Sequence, residues 1–361
     1  MNSKELFYKI LNLASKEKYP DIHLTTWNLP IMRNHSWELF KLEKIEEEKL
    51  NILTKNIIKD FIIEIIWNEG LENFIKNKEL DTSIELENED RYRINCYFDT
   101  AWYSIALRII PKEIPTLSQL WLWKQIEQLC KKSKWLILVT WPTWSWKSTN
   151  LAAMIDYINK NFKKHIITIE DPVEFSLKSK ESLINQREVW ANTHWFANAI
   201  KASLREDPDV IMIWEMRDPE TIKAAITLAE TGHLVLSTLH TNDSIQTIDR
   251  IVDVFPSVQQ KQIRMQLAMS LIWVISQRLV PRNDKDWRIA AREILITNDA
   301  VKNLIISAKT HQLYSVLEVW QKEWMILMDR YLVALYKKGY ISKDSLISFS
   351  RDKEWVEMLI N

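Results

Sequence analysis

The spacing of apolar residues along the chain changes character more than once, and each change predicts a different element. Residues 1–20 set Leu6, Ile10 and Leu13 at helical spacing and predict an amphipathic helix. "DIHLT" and "LPIMRN" read as short strands of a small α/β domain. Residues 46–77 carry helical periodicity over two segments. Residues 81–110 alternate apolar and polar side chains, as antiparallel strands do. "PKEIPTLSQL", with two prolines, then breaks the pattern. It predicts a first domain over residues 1–112, a linker over 113–117 and a second domain over 118–361.

Short apolar runs alternate with helical patterns beyond that break. "WLILVT", "HIITIED", "DVIMIWE" and "HLVLSTLH" read as buried strands. "KSTNLAAMIDYINKN", "HWFANAIKASLRED" and "DPETIKAAITLAETG" read as the helices between them. Strand–helix alternation of this kind implies βαβ units and a mostly parallel sheet. From about Ile245 onward the pattern predicts mainly helix. The expected fold is α/β throughout, in two domains.

Composition narrows the function classes. The 361 residues are 47% apolar and 27% charged, with a formal net charge of zero. No overall field favours nucleic acid or an acidic membrane. No apolar run approaches ~18 residues, so no membrane-spanning helix is expected. The first residues carry charges throughout and lack the apolar centre of a secretory signal. Cys96 and Cys130 form no ligand cluster and read as buried free thiols.

One feature of the composition is abnormal: 3 glycines stand against 18 tryptophans. Average usage gives roughly 25 glycines in this length. An α/β protein needs glycine at tight turns and helix ends. The two counts together come close to the expected number of glycines.

Chemistry concentrates after the linker. "WPTWSWKST" follows a strand and opens a helix, where a phosphate-binding loop G-x-x-x-x-G-K-[ST] would stand. In such a loop backbone N–H groups wrap the phosphates and the helix dipole adds to them. Lys147 would neutralise phosphate oxygens and the Ser148 hydroxyl would ligate Mg²⁺, with Thr149 beside it. Trp141, Pro142, Thr143, Trp144, Ser145 and Trp146 form the loop itself, and Trp141 and Trp146 occupy both glycine positions. Read literally, these indoles would block close approach of backbone to phosphate.

Strand ends supply the acids. Glu170, Asp171 and Glu174 follow one strand, and Glu215, Arg217 and Asp218 follow the next. Such ends face the ligand crevice of an open α/β sheet. An acid there holds the metal shell or orients water, so Glu215 is a candidate metal ligand as well as a catalytic acid. His240, just past a strand, is placed to sense a γ-phosphate, whereas His233 reads equally well as structural. A stacking platform for nucleic acid would need a basic groove, which the tryptophans lack. A membrane belt would not scatter them through both domains.

These stretches together resemble the type II/type IV pilus secretion ATPases, most closely the pilus retraction group. "IEDPVEF" is similar to the family's Asp box, "SLREDPDVIMIWEMRDPETI" to its Walker B region and "ETGHLVLSTLHTN" to its His box. "QREV", "TIDRIVDVFP" and "VISQRL" fit as well. "AVKNLI", residues 300–305, resembles a motif of retraction enzymes, with Lys302 where arginine is usual. The four-cysteine zinc motif of extension ATPases is absent from the sequence. The resemblance implies a PAS-like N-terminal domain and a RecA-like motor domain. It implies ATP and Mg²⁺ as cofactors, a homo-hexameric ring and an inner-membrane platform protein as partner. It implies a cytoplasmic location at the inner face of the membrane, no nucleic acid, and membrane association only through partners. Arg91 and Arg108, with Arg93 as alternative, would reach the nucleotide from the first domain. Glu170, Glu174, Glu215 and His240 would serve the reaction. The rival readings are a pilus assembly or type II secretion ATPase, or a ring subunit that cannot bind nucleotide because its tryptophans are real.

The family pattern also explains the tryptophans. Trp27, Trp102, Trp121, Trp135, Trp141, Trp144, Trp146, Trp190, Trp195, Trp214, Trp273, Trp287, Trp320 and Trp324 fall where the family has glycine, and Trp37 is placed there too. The pattern assigns no definite residue to Trp67, Trp123 and Trp355. UGA is read as tryptophan in some genetic codes and as glycine in certain bacterial lineages. Translation with the wrong one of these would produce this sequence, leaving glycines with ordinary codons, such as Gly70, Gly232 and Gly339, in place.

Overall fold

A computed structural model describes residues 2–34, 38–88, 90–110, 113–120, 124–140, 147–189, 191–284, 288–319 and 324–360, the side chains of 67–69, 124, 125, 147 and 148 apart. The chain forms two compact units. One comprises residues up to Ile114 together with Pro172–Ser176, and the other comprises Pro115–Asp171 and Leu177 onward.

In the first unit α1 (Ser3–Glu17) begins where the Asn2 side chain accepts from the Glu5 amide and ends at Lys18 in the left-handed region. Its buried face is Phe7, Ile10, Leu11 and Ala14, one step around from the face that Leu6 and Leu13 predict. The short strands β1 (Asp21–Thr25), β2 (Ile31–Arg33), β3 (Leu39–Lys41), β4 (Lys44–Ile45) and β5 (Glu48–Lys49) follow. The helical stretch near residue 60 is one helix, α2 (Lys55–Asn77), rather than two segments. Thr54 caps its start, accepting from the Ile57 amide. After it come β6 (Glu79–Glu85), β7 (Arg91–Asp99) and β8 (Trp102–Ile110). Strands β3-β2-β1-β8-β7-β6 make one six-stranded sheet, every pairing antiparallel. Phe7, Phe61, Phe74 and Tyr92 fill the space between sheet and helices, and the Tyr92 hydroxyl donates to the Leu11 carbonyl at 2.6 Å.

The second unit runs α3 (Lys124–Cys130), β9 (Trp135–Thr140), α4 (Lys147–Asn161), β10 (His165–Glu170), β11 (Leu183–Glu188), α5 (Phe196–Ser203), β12 (Val210–Ile213), α6 (Pro219–Glu230) and β13 (Leu234–Leu239). It continues with α7 (Ser244–Asp253), α8 (Ser257–Ser270), β14 (Leu271–Pro281), β15 (Arg288–Ile296), α9 (Asp299–Ile306), α10 (Leu313–Val319), α11 (Met328–Lys337), α12 (Lys343–Phe349) and α13 (Lys353–Ile360). The seven-stranded sheet has the order β11-β10-β12-β13-β9-β14-β15. It is parallel except for the β14–β15 edge. All of β12 and β13, and all of β9 but its first residue, are buried, as strands sandwiched between helices must be.

The stretch beyond Ile245 departs from the helical expectation. β14 and β15 are long strands, and β14 joins the parallel sheet beside β9. "LIWVISQRLVP" and "RIAAREILI" lie in the sheet with most residues buried on both faces, so neither shows strand alternation. An apolar run of that kind does not distinguish strand from helix by periodicity.

Polar groups buried beneath this sheet fix α4 and α7. Gln277 on β14 pairs in register with Arg292 on β15. The Gln277 Oε1 accepts from the Asn150 side chain at 3.1 Å and from the Arg292 Nε at 2.9 Å. The Arg292 Nη2 donates in turn to the Leu120 carbonyl at 2.5 Å. All three side chains are buried. The helix after Lys147 is thereby tied to β14, β15 and the residues that follow the linker. On the other side, Glu293 Oε1 accepts from the Ser244 amide at 2.9 Å and from its hydroxyl at 2.5 Å, clamping the start of α7.

Two outcomes follow from these buried groups. Gln277→Leu removes the shared acceptor and strands the Asn150 amide and the Arg292 guanidinium, so stability should fall by about 1–3 kcal/mol, read from denaturant unfolding. Burial pushes the Glu293 carboxyl above its usual range. A raised carboxyl binds its proton more tightly folded than unfolded, so its effect is a loss of stability as pH rises above the unfolded value. Glu293→Gln keeps an acceptor for Ser244 and lacks that loss. The variant should gain on the parent chain between pH 5 and pH 8 in denaturant midpoints, and an unchanged difference contradicts the assignment.

Candidate active site

The carboxyl edge of the parallel sheet gathers the sequence-predicted residues of the second unit. In β9 Thr140 lies opposite Leu239 of β13, and in β10 Ile169 lies opposite Ile213 of β12. This register puts the exits of β9, β10, β12 and β13 on one edge. Residues 141–146 leave β9 there and lie outside the described residues, as do the side chains of Lys147 and Ser148. The expectations for Trp141, Pro142, Thr143, Trp144, Ser145 and Trp146 therefore fall outside the described residues. What is described is their frame: a buried strand ending at Thr140, and a helix that begins at Lys147 and runs through Thr149.

Glu170 is the last residue of β10 and is buried. Its Oε1 accepts from the Thr168 hydroxyl at 2.6 Å and from the Gln186 side chain on β11 at 3.0 Å. Glu215, two residues past β12, is buried too. Its Oε2 lies 2.7 Å from Arg217 Nη2 and its Oε1 lies 3.3 Å from His240 Nε2. The Glu215 bond raises the Arg217 guanidinium above its ordinary value, against the opposing pull of burial. The two acids thus sit in different fields. Glu170 accepts from a threonine and a glutamine, and Glu215 stands beside a guanidinium and an imidazole.

His240 reaches Glu215 because the turn that carries it is anchored from below. Asp243 caps α7, accepting from the Gln246 amide, and accepts from the Tyr314 hydroxyl at 3.2 Å. Thr241 and Thr247 share a hydrogen bond at 2.6 Å, Thr247 lies 3.4 Å from the Thr140 hydroxyl, and Thr140 meets Ser276 at 2.8 Å. These buried hydroxyls join the exit of β9 to the His240 turn and to β14. Sequence reasoning passed over them because isolated Thr and Ser residues carry no signal until the sheet brings them together. His233 sits at the opposite end of β13, bonded through Nδ1 to the Leu228 carbonyl and Thr231, and serves to end α6.

Glu174 lies in the Pro172–Ser176 segment, which belongs to the first unit. There Arg93 Nη1 stands 3.8 Å from Glu174 Oε1. On the first unit's sheet Arg33, Asp21, Arg108 and Arg93 lie across β2, β1, β8 and β7 in one row. Asp21 holds Arg33 at 3.0 Å and Arg108 at 2.7 Å. Arg91, two residues from Arg93 and on the same face, donates to the Ser83 hydroxyl at 2.7 Å.

A bound Mg²⁺ needs hard oxygen donors, and in phosphate-loop sites one or two protein oxygens suffice because phosphates and water supply the rest. Glu215, with its buried carboxylate on the same edge as the helix that begins at Lys147, fits that chemistry. Among the described residues no three His, Cys, Asp or Glu side chains cluster to hold a metal alone.

The sequence matches the type II/IV secretion system protein family over residues 62–322. It is 43% identical over 317 residues to the twitching motility protein of Neisseria gonorrhoeae, covering 88% of this chain and 83% of that one. It is 38% identical over 338 residues to the type IV pilus retraction ATPase PilT of Pseudomonas aeruginosa, covering 93% and 96%. The crystal structure of the pilus retraction motor PilT with bound ADP superposes with a TM-score of 0.88 at 40% identity, over 97% of this chain and 98% of that one. The match embraces both units and the described strand exits alike, and this chain belongs to the type II/IV secretion system protein family.

Proposed function

We propose that this chain is the ATPase that retracts type IV pili, converting ATP hydrolysis into pilus disassembly. The observation that carries it is the convergence of Glu170, Glu215 and His240 on the sheet edge that receives residues 141–149. The relatives named for twitching motility and pilus retraction support the same reading, and a related motor holds ADP.

In this reading the backbone of residues 141–146 and the ammonium of Lys147 hold the phosphates. Ser148 and Glu215 hold Mg²⁺, which neutralises charge on the phosphates when bound. Glu170, buried at the end of β10 on the same sheet edge, accepts the proton of the attacking water. Glu215 is ion-paired with Arg217 on that edge. His240, bonded to Glu215, couples the γ-phosphate to that acid. Arg91 and Arg108, or Arg93, stabilise the charge on the transferred phosphoryl group from the first unit, and Glu174 sets the arginine beside it. The active form is a homo-hexamer at the inner face of the membrane, working through an inner-membrane platform protein and binding no nucleic acid. The PAS-like first domain, residues 1–112, and the motor domain, residues 118–361, move about the linker at 113–117. Among the described residues no helix is long and apolar enough to cross a membrane.

A pilus assembly or type II secretion ATPase is the second reading, and the presence of only two cysteines, both buried and unpaired, weighs against the zinc-bearing extension type. Deleting the gene separates them: excess pili without twitching supports retraction, and loss of pili overturns it.

The chemistry is tested in protein carrying glycine at 141, 144 and 146. Lys147→Ala should abolish turnover, and retained ATPase activity sinks the assignment. Glu170→Gln should cut kcat by about 100-fold or more with the Mg²⁺ requirement unchanged. Glu215→Gln should raise the Mg²⁺ concentration needed for half-maximal rate. A reversal of the two patterns exchanges their roles.

A further inference from the structure

Backbone angles say which residue belongs at several of the tryptophan positions. Among the described residues nine other than glycine hold a positive φ. Five of them, Lys18, Glu46, Lys78, Asp207 and Ala308, lie between 51° and 65°, in the small left-handed region that side chains visit at turns and helix ends. The other four are all tryptophan: Trp27 at 67°, Trp102 at 120°, Trp135 at 119° and Trp324 at 70°. The chain's own positive-φ glycines are Gly232 at 109° and Gly339 at 74°. Among these angles only Gly232, Trp102 and Trp135 exceed 100°, where a Cβ meets the backbone and glycine is at home.

The strained angles are pinned by the fold. The Trp102 amide donates to Asp99 Oδ1 at 3.0 Å in the turn between β7 and β8. The Trp135 amide donates to the His233 carbonyl at 3.2 Å as β9 enters the sheet beside β13. The Trp27 amide donates to the Leu53 carbonyl at 2.8 Å. None of these bonds uses a side chain of the tryptophan. The indoles add little packing in return: Trp27 is 62% and Trp324 is 53% exposed. The ring of Trp102 meets Lys55 and Phe98 at the surface. A bulky aromatic at positive φ is an outlier once; four such residues in one chain are a pattern. Trp195, Trp214, Trp273 and Trp355 lie outside the positive-φ set, and the backbone makes no such demand there.

We propose that the native chain carries glycine at positions 27, 102, 135 and 324, decoded from UGA, and that the same decoding places glycine at 141, 144 and 146. A codon reassignment acts on every such codon of a gene, so the demand for glycine at 102 in the first unit and at 135 in the second extends to 27 and 324 and to the loop before Lys147. The inference stands on backbone angles and not on the ATPase reading, so either can fail without the other.

Tandem mass spectrometry of tryptic peptides from the native protein tests it directly. Peptides 19–33, 94–108, 135–147 and 323–330 cover the seven positions, and 135–147 alone carries four of them. Glycine at each is the expected result, with UGA at each codon. Tryptophan at 27, 102, 135 or 324 overturns the proposal, and so does tryptophan at 141, 144 or 146. A recombinant pair supplies a second measure: the chain as written, and the same chain with Trp27→Gly, Trp102→Gly, Trp135→Gly and Trp324→Gly. The glycine chain should melt at a higher temperature, or fold where the other does not, and an equal or lower midpoint overturns the backbone argument.

Discussion

The pairing of β9 between β13 and β14 is the constraint on which the site depends. β9 is paired in register with β13 on one side and β14 on the other, and that register sets Leu239 opposite Thr140. His240 is therefore delivered to the edge where residues 141–146 leave the sheet. Thr140 also meets Ser276 on the other side, so the exit of β9 is held from both neighbours through side chains as well as backbone. Moving any of these strands by one residue would turn alternate side chains to the opposite face and separate His240 from Glu215.

Charge is divided along the same edge. Glu170 takes its hydrogen bonds from a threonine and a glutamine, while Glu215 takes them from Arg217 and His240. Two carboxylates in one crevice compete for protons and cations, and their surroundings decide the division of labour. The Arg217 bond is made by an exposed side chain, 71% accessible, so it is a contact that an incoming cation can displace without disturbing the core. Burial and exposure on one ion pair thus separate a fixed acid from an exchangeable partner.

Much of this was legible in the sequence. β1 and β9 fall on "DIHLT" and "WLILVT" because short apolar runs bounded by breakers leave little choice. Glu170, Glu215 and His240 were legible because each ends a strand run. β14 and β15 were not, since burial on both faces removes the alternation that marks a strand, and the Gln277–Arg292 pair exists only once the two strands are laid in register. Glu174 follows Glu170 closely in sequence, and the fold adds that it belongs to the first unit, 3.8 Å from Arg93. The Asp21 tie to Arg33 and Arg108 was invisible for the same reason: it exists only when three strands are laid side by side.

The tryptophans carry this relation between sequence and fold a step further. A sequence ordinarily constrains backbone angles through the clash of each Cβ with its own chain. The constraint runs both ways. Where strand pairing and turns fix an angle that a Cβ cannot accept, the fold constrains the residue. β9 illustrates the point. Its first residue must leave His233's carbonyl bonded and enter the sheet beside Leu234, and that path requires φ near 119°. The path is set by the pairing of β9 with its two neighbouring strands, β13 and β14. The demand at position 135 therefore survives any change of letter there, and a large side chain can meet it only at a cost in strain. The buried sheet that positions the acids and the histidine is the same sheet that specifies a residue without a side chain at the start of its central strand.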